Sequence, residues 1–241
     1  MPDETDVQHI ELGIETVACM FKLPQQMIDY LWERIEIAKK KPKCYKKHLA
    51  GNISQSYKLD DPQKLVIQNL YKIVNDPGSN PKMFKFINSE VARIYDKMGY
   101  NGMLTPQLDN MWVNFQKKGE FQPTHNHRGV FSFVIWMDIP YHSKDEGNLP
   151  TAKTSDKIPP GGNFTFVYAN GLTREVKERF IELSPEMNGY CCFFPSDVCH
   201  QVYPFYTSDK DRISISGNIM YRSTKPNPPP VYQFPFHMSG T

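Results

Sequence analysis

The chain has 241 residues, with 28 lysines and arginines against 26 acids and a formal charge of +2, so no global field selects nucleic acid or a membrane surface as the main partner. The length suits one substantial core, and an aromatic share of 13% suits a packed barrel. Cys19, Cys44, Cys191, Cys192 and Cys199 form an odd set without framework spacing, which argues against a disulfide scaffold and for a reducing compartment.

The acidic start, Met1-Pro-Asp-Glu-Thr-Asp, has no apolar signal core, and no apolar run approaches a membrane span. The expectation is a cytoplasmic protein with no membrane partner, in the host cytoplasm if the chain is viral. Residues 14 to 21 read as a strand. Pro24 then precedes Met27, Ile28, Leu31, Ile35 and Ala38 at helical spacing. The basic cluster from Lys39 to Lys47 reads as a solvated helix end rather than a phosphate site. A second helix is expected from about Pro62 to Asn75, stopped by Asp76-Pro77-Gly78, and a third from about Pro81 to Met98.

After Gly99 the texture changes to short aromatic and β-branched runs separated by Gly, Pro, Asn and Asp. Strands are expected near 109 to 117, 120 to 127, 130 to 138, 162 to 168, 177 to 183, 189 to 195, 198 to 204 and 211 to 221. The segment 141 to 161 reads either as a lid or binding loop or as an unstructured insertion. The Pro- and aromatic-rich tail, 224 to 241, reads as an arm packing on the barrel or on a second subunit, which leaves room for a homodimer. The fold class is mainly β: a cupin-like jelly roll with N-terminal helices packed on one sheet. Residues 1–100 are expected to form a helical extension packed on the barrel, 101–223 the double-stranded core and 224–241 the tail, within one structural domain overall.

Two short segments carry the chemistry: Gly119-Glu-Phe-Gln-Pro-Thr-His125-Asn-His127 and Gly189-Tyr-Cys-Cys-Phe-Phe-Pro195-Ser-Asp-Val-Cys-His200. On an extended strand the His-x-His spacing points both imidazoles to one side, and His200 adds a third nitrogen from a distant strand. Three protein ligands leave metal positions open, which fits a catalytic metal better than a structural one. His9, His48, His142 and His237 lie in no such pattern and read as structural or surface residues.

In Arg212-Ile-Ser-Ile-Ser-Gly-Asn-Ile219, alternation separates Arg212, Ser214, Ser216 and Asn218 from the isoleucines. The expectation is that the isoleucines pack under the helices while the polar row lines the pocket. There Arg212 and Ser214 would hold a carboxylate. Trp112, Asn114 and Phe121 read as pocket border or core, with Asn114 the strongest candidate for a cofactor contact because a buried amide needs partners. Cys199 reads as buried filler, and no cysteine is expected to do redox work.

These residues resemble the iron(II)- and 2-oxoglutarate-dependent oxygenases, particularly the prolyl-hydroxylase-like group that includes phage proteins. The resemblance runs from about 49 to 220, through Leu49-Ala-Gly-Asn-Ile-Ser54, Trp112 to Gly129, Phe131 to Trp136, Phe194 to Pro204 and Arg212 to Asn218. It implies a double-stranded β-helix with three cofactors or co-substrates: Fe(II), 2-oxoglutarate and dioxygen. His125 and His200 would ligate iron, Arg212 and Ser214 would anchor the keto acid, and a C–H bond would be hydroxylated. His127 stands where the family has a carboxylate. A neutral imidazole there leaves the metal more electrophilic, and neither Asp138 nor Asp197 is placed to substitute.

The prime substrate is unknown; the resemblance favours a protein side chain, a peptidyl proline among them, over a small molecule or nucleic acid. Two alternatives stand: a three-His cupin-type thiol dioxygenase without 2-oxoglutarate, and a non-catalytic jelly-roll binding protein. Arg212-x-Ser214 argues against the first, which needs no second acid clamp.

Overall fold

In the computed structural model, residues 7–12, 17–98, 103–150, 161–170 and 173–223 are described. Strands β1 (Val7–Glu11) and β2 (Val17–Lys22) precede α1 (Gln25–Lys40), β3 (Gln55–Lys58), α2 (Leu65–Val74) and α3 (Pro81–Met98). The remaining elements are β4 (Leu104–Gln116), β5 (Gln122–His125), β6 (Phe131–Asp138), α4 (Ser143–Glu146), β7 (Phe164–Ala169), β8 (Val176–Ile181), β9 (Tyr190–Pro195), β10 (His200–Val202) and β11 (Arg212–Ser223).

The strands form two antiparallel sheets, one in the order β1-β2-β9-β6-β11-β4-β3 and one in the order β5-β10-β7-β8. Each face of the larger sheet covers a separate core. On one face α1, α2 and α3 bury Leu31, Leu70 and Ile87 together with Phe115, Phe133, Phe193, Ile215 and Ile219. On the other, Trp136, Phe164, Phe166, Phe194 and Phe205 fill the space between the sheets. Aromatic side chains of this kind contribute roughly 1.5–3 kcal/mol each when fully buried. The result is the jelly roll with helices on one sheet that the sequence leads one to expect.

The strand β11 explains the division. Its isoleucines face the helices, while Arg212, Ser214 and Ser216 face the smaller sheet and line a slot there. Gly217 lets this strand pass under Phe133: a Cβ would lie 2.5 Å from the Phe133 ring and 2.9 Å from the Asn110 carbonyl oxygen.

Several elements differ from the sequence expectation. Strands β1 and β3 carry too little apolar alternation to be seen; β3 is Gln-Ser-Tyr-Lys and is specified by its pairing with β4. The first expected strand lies at Val17–Lys22, and residues 14–16 are outside the described residues. Helix α2 starts later than Pro62, where the Asp61 carboxylate accepts the Leu65 and Val66 N–H groups at 3.1 and 3.0 Å. Strand β4 begins at Leu104, five residues before the expected 109, and passes through Pro106 and an irregularity opposite Asn218 and Ile219. Proline is tolerated there because β3 covers only Trp112–Phe115, leaving the first half of β4 at the sheet edge. Within the 141–161 segment, α4 is a single turn and residues 151–160 lie outside the described residues, as does the tail 224–241.

Candidate metal centre

The pairing of β10 with β5 sets His200 directly opposite His125. His127 arrives differently from the same-strand arrangement expected. Strand β5 ends at His125, and the His127 N–H donates to the Ser196 carbonyl at 2.8 Å, tying the ring to the larger sheet. The three rings lie with centroids 5.2 Å (His125–His127), 4.4 Å (His125–His200) and 4.9 Å (His127–His200) apart. One ligating nitrogen from each falls within 4.8 Å of the others, and among the described residues no carboxylate joins the cluster.

Hydrogen bonding decides which nitrogen is free. His125 Nδ1 meets the Pro123 carbonyl at 2.7 Å, His200 Nδ1 the Val198 carbonyl at 3.1 Å, and His127 Nδ1 the Asn218 Oδ1 at 2.8 Å. Carbonyl oxygens only accept, so each Nδ1 carries the proton and each Nε2 keeps its lone pair. Burial also opposes protonation. It holds His200 well below the usual histidine range, with the other two rings adding to the effect, and it lowers His125 as well. His127 is pushed down to about 4 by burial and by His125. Three neutral imidazoles presenting free Nε2 atoms are a donor set that fits a divalent transition metal.

Asn218 is the centre of a further network. Its Oδ1 also accepts from Ser132 Oγ at 2.8 Å, Ser132 meets Ser196 Oγ at 2.8 Å, and its Nδ2 donates to Asn110 Oδ1 at 2.8 Å. Outer groups of this kind typically contribute 10–100-fold in metal affinity. Asn218→Ala is therefore expected to weaken iron(II) binding by roughly that factor; an unchanged titration would show that the ring needs no such support.

The depressed histidines also set a pH dependence. With His127 near 4 in the folded state against an ordinary 6.5, the unfolded chain takes up the proton first. Stability of the metal-free protein should then rise with pH between these values and be lost on acidification through them. Denaturant midpoints across that window test this, and a flat profile contradicts it.

From His127 and His200 a slot runs between the sheets to Arg212, Ser214 and Ser216, walled by Trp136, Phe164 and Phe194. Its volume is about 20 Å³, room for roughly one water, so a dicarboxylate enters only as wall side chains shift. Arg212 is 2% exposed. It donates through Nη1 to the Tyr141 hydroxyl at 2.6 Å and the Gly162 carbonyl at 3.2 Å, and through Nη2 to Gln116 Oε1. All three partners are neutral, and among the described residues the guanidinium has no ion pair, which fits an anionic ligand.

Asn114 does not line the slot. It is 1% exposed, paired in register with Ser214 on one side and Ser56 on the other, and its Oδ1 and the Ser56 hydroxyl lack partners. Trp112 stacks on His127 at 5.6 Å and is itself covered by Tyr45 at 5.1 Å, whereas Phe121 is 38% exposed and serves neither core nor slot. Cys199 is part-exposed rather than buried. His9 bonds Asn80, His48 is exposed against Tyr45, and His142 lies 3.8 Å from Glu186; His237 is outside the described residues.

Sequence reasoning missed Tyr141, Gln116 and Gly162, the partners of Arg212. No local pattern marks them, since Tyr141 is placed by stacking on Phe205 at 4.5 Å. The segment 49–54 reaches the site as well: Leu49 and Ala50 line a groove of about 550 Å³ beside His125 and His127. Asn52 N–H bonds the Phe121 carbonyl at 2.9 Å. Gly51 permits this contact, because a Cβ there would sit 2.6 Å from the Gln122 side chain and 3.0 Å from the Phe121 carbonyl oxygen.

The comparisons with known proteins agree with this site. Residues 110–218, which carry all three histidines, Arg212 and Ser214, match the family model described as "Putative 2OG-Fe(II) oxygenase". Enzymes of this class use Fe(II), 2-oxoglutarate and dioxygen. Among curated proteins none matches the chain. Among solved structures, a Pseudomonas putida prolyl-4-hydroxylase is similar at 15% identity and a TM-score of 0.45, over 84% of this chain and 91% of that one. A Trichoplax adhaerens prolyl hydroxylase, in complex with a hypoxia inducible factor oxygen degradation domain peptide fragment, is 14% identical with a TM-score of 0.42, over 85% and 82%. The viral collagen prolyl hydroxylase of Paramecium Bursaria Chlorella virus-1 is 13% identical with a TM-score of 0.39, over 90% and 97%. Among the described residues no helix is long and apolar enough to cross a membrane.

Proposed function

We propose that His125, His127 and His200 hold Fe(II) through Nε2, that Arg212 with Ser214 anchors the far carboxylate of 2-oxoglutarate, and that the enzyme hydroxylates a C–H bond of a protein side chain, peptidyl proline among the candidates. The observation that carries this reading is the pairing at the two ends of one slot: three free imidazole nitrogens and a buried guanidinium with only neutral partners.

When bound, iron supplies the redox chemistry by which dioxygen and the keto acid become succinate, carbon dioxide and a hydroxylated product. The chain's own groups do the rest. Asn218 and the two backbone carbonyls hold the rings in one tautomer. Arg212 offers a charged fork to the acid, and Trp136, Phe164 and Phe194 keep water from the slot. Substrate approaches from the opposite side, through the groove lined by Trp112, His125 and His127. That groove is wide enough for part of a polymer chain, and this supports a protein over a small metabolite.

Succinate formation coupled to oxygen uptake tests the reading. Oxygen uptake with a thiol and without 2-oxoglutarate would replace it with a three-His thiol dioxygenase, a reading to which the lack of a carboxylate in the cluster among the described residues points. The role of His127 is tested separately. His127→Asp is expected to keep metal and turnover within about tenfold, because a carboxylate is an equally good ligand for iron(II), while His127→Ala loses both. Full metal content in the alanine variant would remove His127 from the ligand set.

A further inference from the structure

A second groove, of about 740 Å³, lies between α2 and the first half of β4, and the sheet is open where it meets that groove. On one side β4 pairs with β11 along its whole length. On the other, β3 covers only Trp112–Phe115, and the last rung is the Leu59 N–H to the Met111 carbonyl at 2.9 Å. Among the described residues no strand pairs with 104–110 on that side, although the Leu104 N–H donates to the Tyr95 hydroxyl at 3.0 Å. Ile219 gives its carbonyl to the Val130 N–H on the β6 side, so Leu108, its partner across β4, directs its own N–H and C=O toward the open edge.

Three lysines and three aspartates line this groove, but they differ in their partners. Lys58, Lys64 and Lys72 line it, are exposed, and have no ion pair among the described residues. The acids there are already engaged. Asp60 lies 3.9 Å from Lys43, Asp61 caps α2 and accepts from the Tyr30 hydroxyl at 2.7 Å, and Asp109 pairs with Arg222 at 3.3 Å. The groove also leads to the metal centre: Asp109 and Asn110 line both it and the groove beside the histidines, and Asn110 bonds Asn218, the partner of His127.

We infer that the open edge of β4 between residues 104 and 110 is a docking site where an extended, acidic polypeptide segment adds as a strand and runs on toward the metal centre. This deepens the protein-substrate reading and rests on it. Backbone rungs to the edge give affinity without sequence demand, and the three lysines select acidic side chains.

The test measures binding rather than turnover, so its outcome is separate from that of the oxygenase reading. Fluorescence anisotropy with the full chain compares a labelled peptide of about twelve residues alternating Glu and Thr with its Lys-for-Glu counterpart; at about 3.4 Å per residue both outspan the edge. The acidic peptide should bind about tenfold more tightly, and the K64E/K72E double variant should lose about tenfold for it and reverse the preference. Leu108→Pro, which removes the edge N–H, should weaken both peptides alike. Equal binding of the two peptides, or acidic-peptide binding indifferent to both variants, overturns the proposal. A dimer of the protein that Leu108→Pro dissociates, with no peptide binding, overturns it in favour of a second copy on this edge.

Discussion

His200→Ala should abolish iron(II) binding at micromolar metal and, with it, all 2-oxoglutarate-dependent oxygen uptake. His200 is 3% exposed and its ring is fixed by stacking on Phe164 at 5.2 Å and by the Val198 carbonyl, so no other nitrogen can take its place. Loss of an outer-shell partner typically lowers metal affinity 10–100-fold, and loss of one of three ligands should exceed about a hundredfold. His200→Gln keeps more of the side-chain volume and separates loss of the ligand from loss of packing. Elemental analysis of anaerobically reconstituted protein measures the effect; an alanine variant that keeps one equivalent of iron would contradict the ligand assignment.

Arg212→Ala should leave metal content unchanged and raise the 2-oxoglutarate concentration needed for half-maximal succinate formation by roughly 30- to 4,000-fold. That range corresponds to the roughly 2–5 kcal/mol by which removing one partner of a buried, hydrogen-bonded charge pair weakens binding. Arg212→Lys should recover only part of this, because it restores the charge but not the planar fork. Unchanged 2-oxoglutarate dependence in the alanine variant would take the guanidinium out of the co-substrate site, whatever the fate of the metal.

Much of this site was legible in the sequence because its residues lie on regular strands. Alternation in β11 separates Arg212, Ser214 and Ser216 from the isoleucines, and the structure places the two rows on opposite cores. The cross-strand meeting of His125 with His200 is likewise a consequence of strand pairing. The His-x-His spacing was informative for a different reason from the one it suggests, since His127 lies past the end of β5 and is held by Ser196 and Asn218.

What the sequence conceals is what tertiary contact alone determines. Tyr141 reaches Arg212 from an irregular segment because it stacks on Phe205, and no period or spacing announces that. The strand expected from about 109 begins at Leu104, and Pro106 is accommodated on it because the sheet is open at that point. Asn114 is a buried amide in register between Ser214, which lines the slot, and Ser56; strand alternation gives its face but not how far along the row the slot reaches.

The most direct measurement is an anaerobic crystal structure with iron(II) and 2-oxoglutarate. The account expects one metal ion held by Nε2 of His125, His127 and His200, with the far carboxylate of the acid on Arg212 and Ser214. An ion held by only two of the rings, or a keto acid seated away from Arg212, would contradict it.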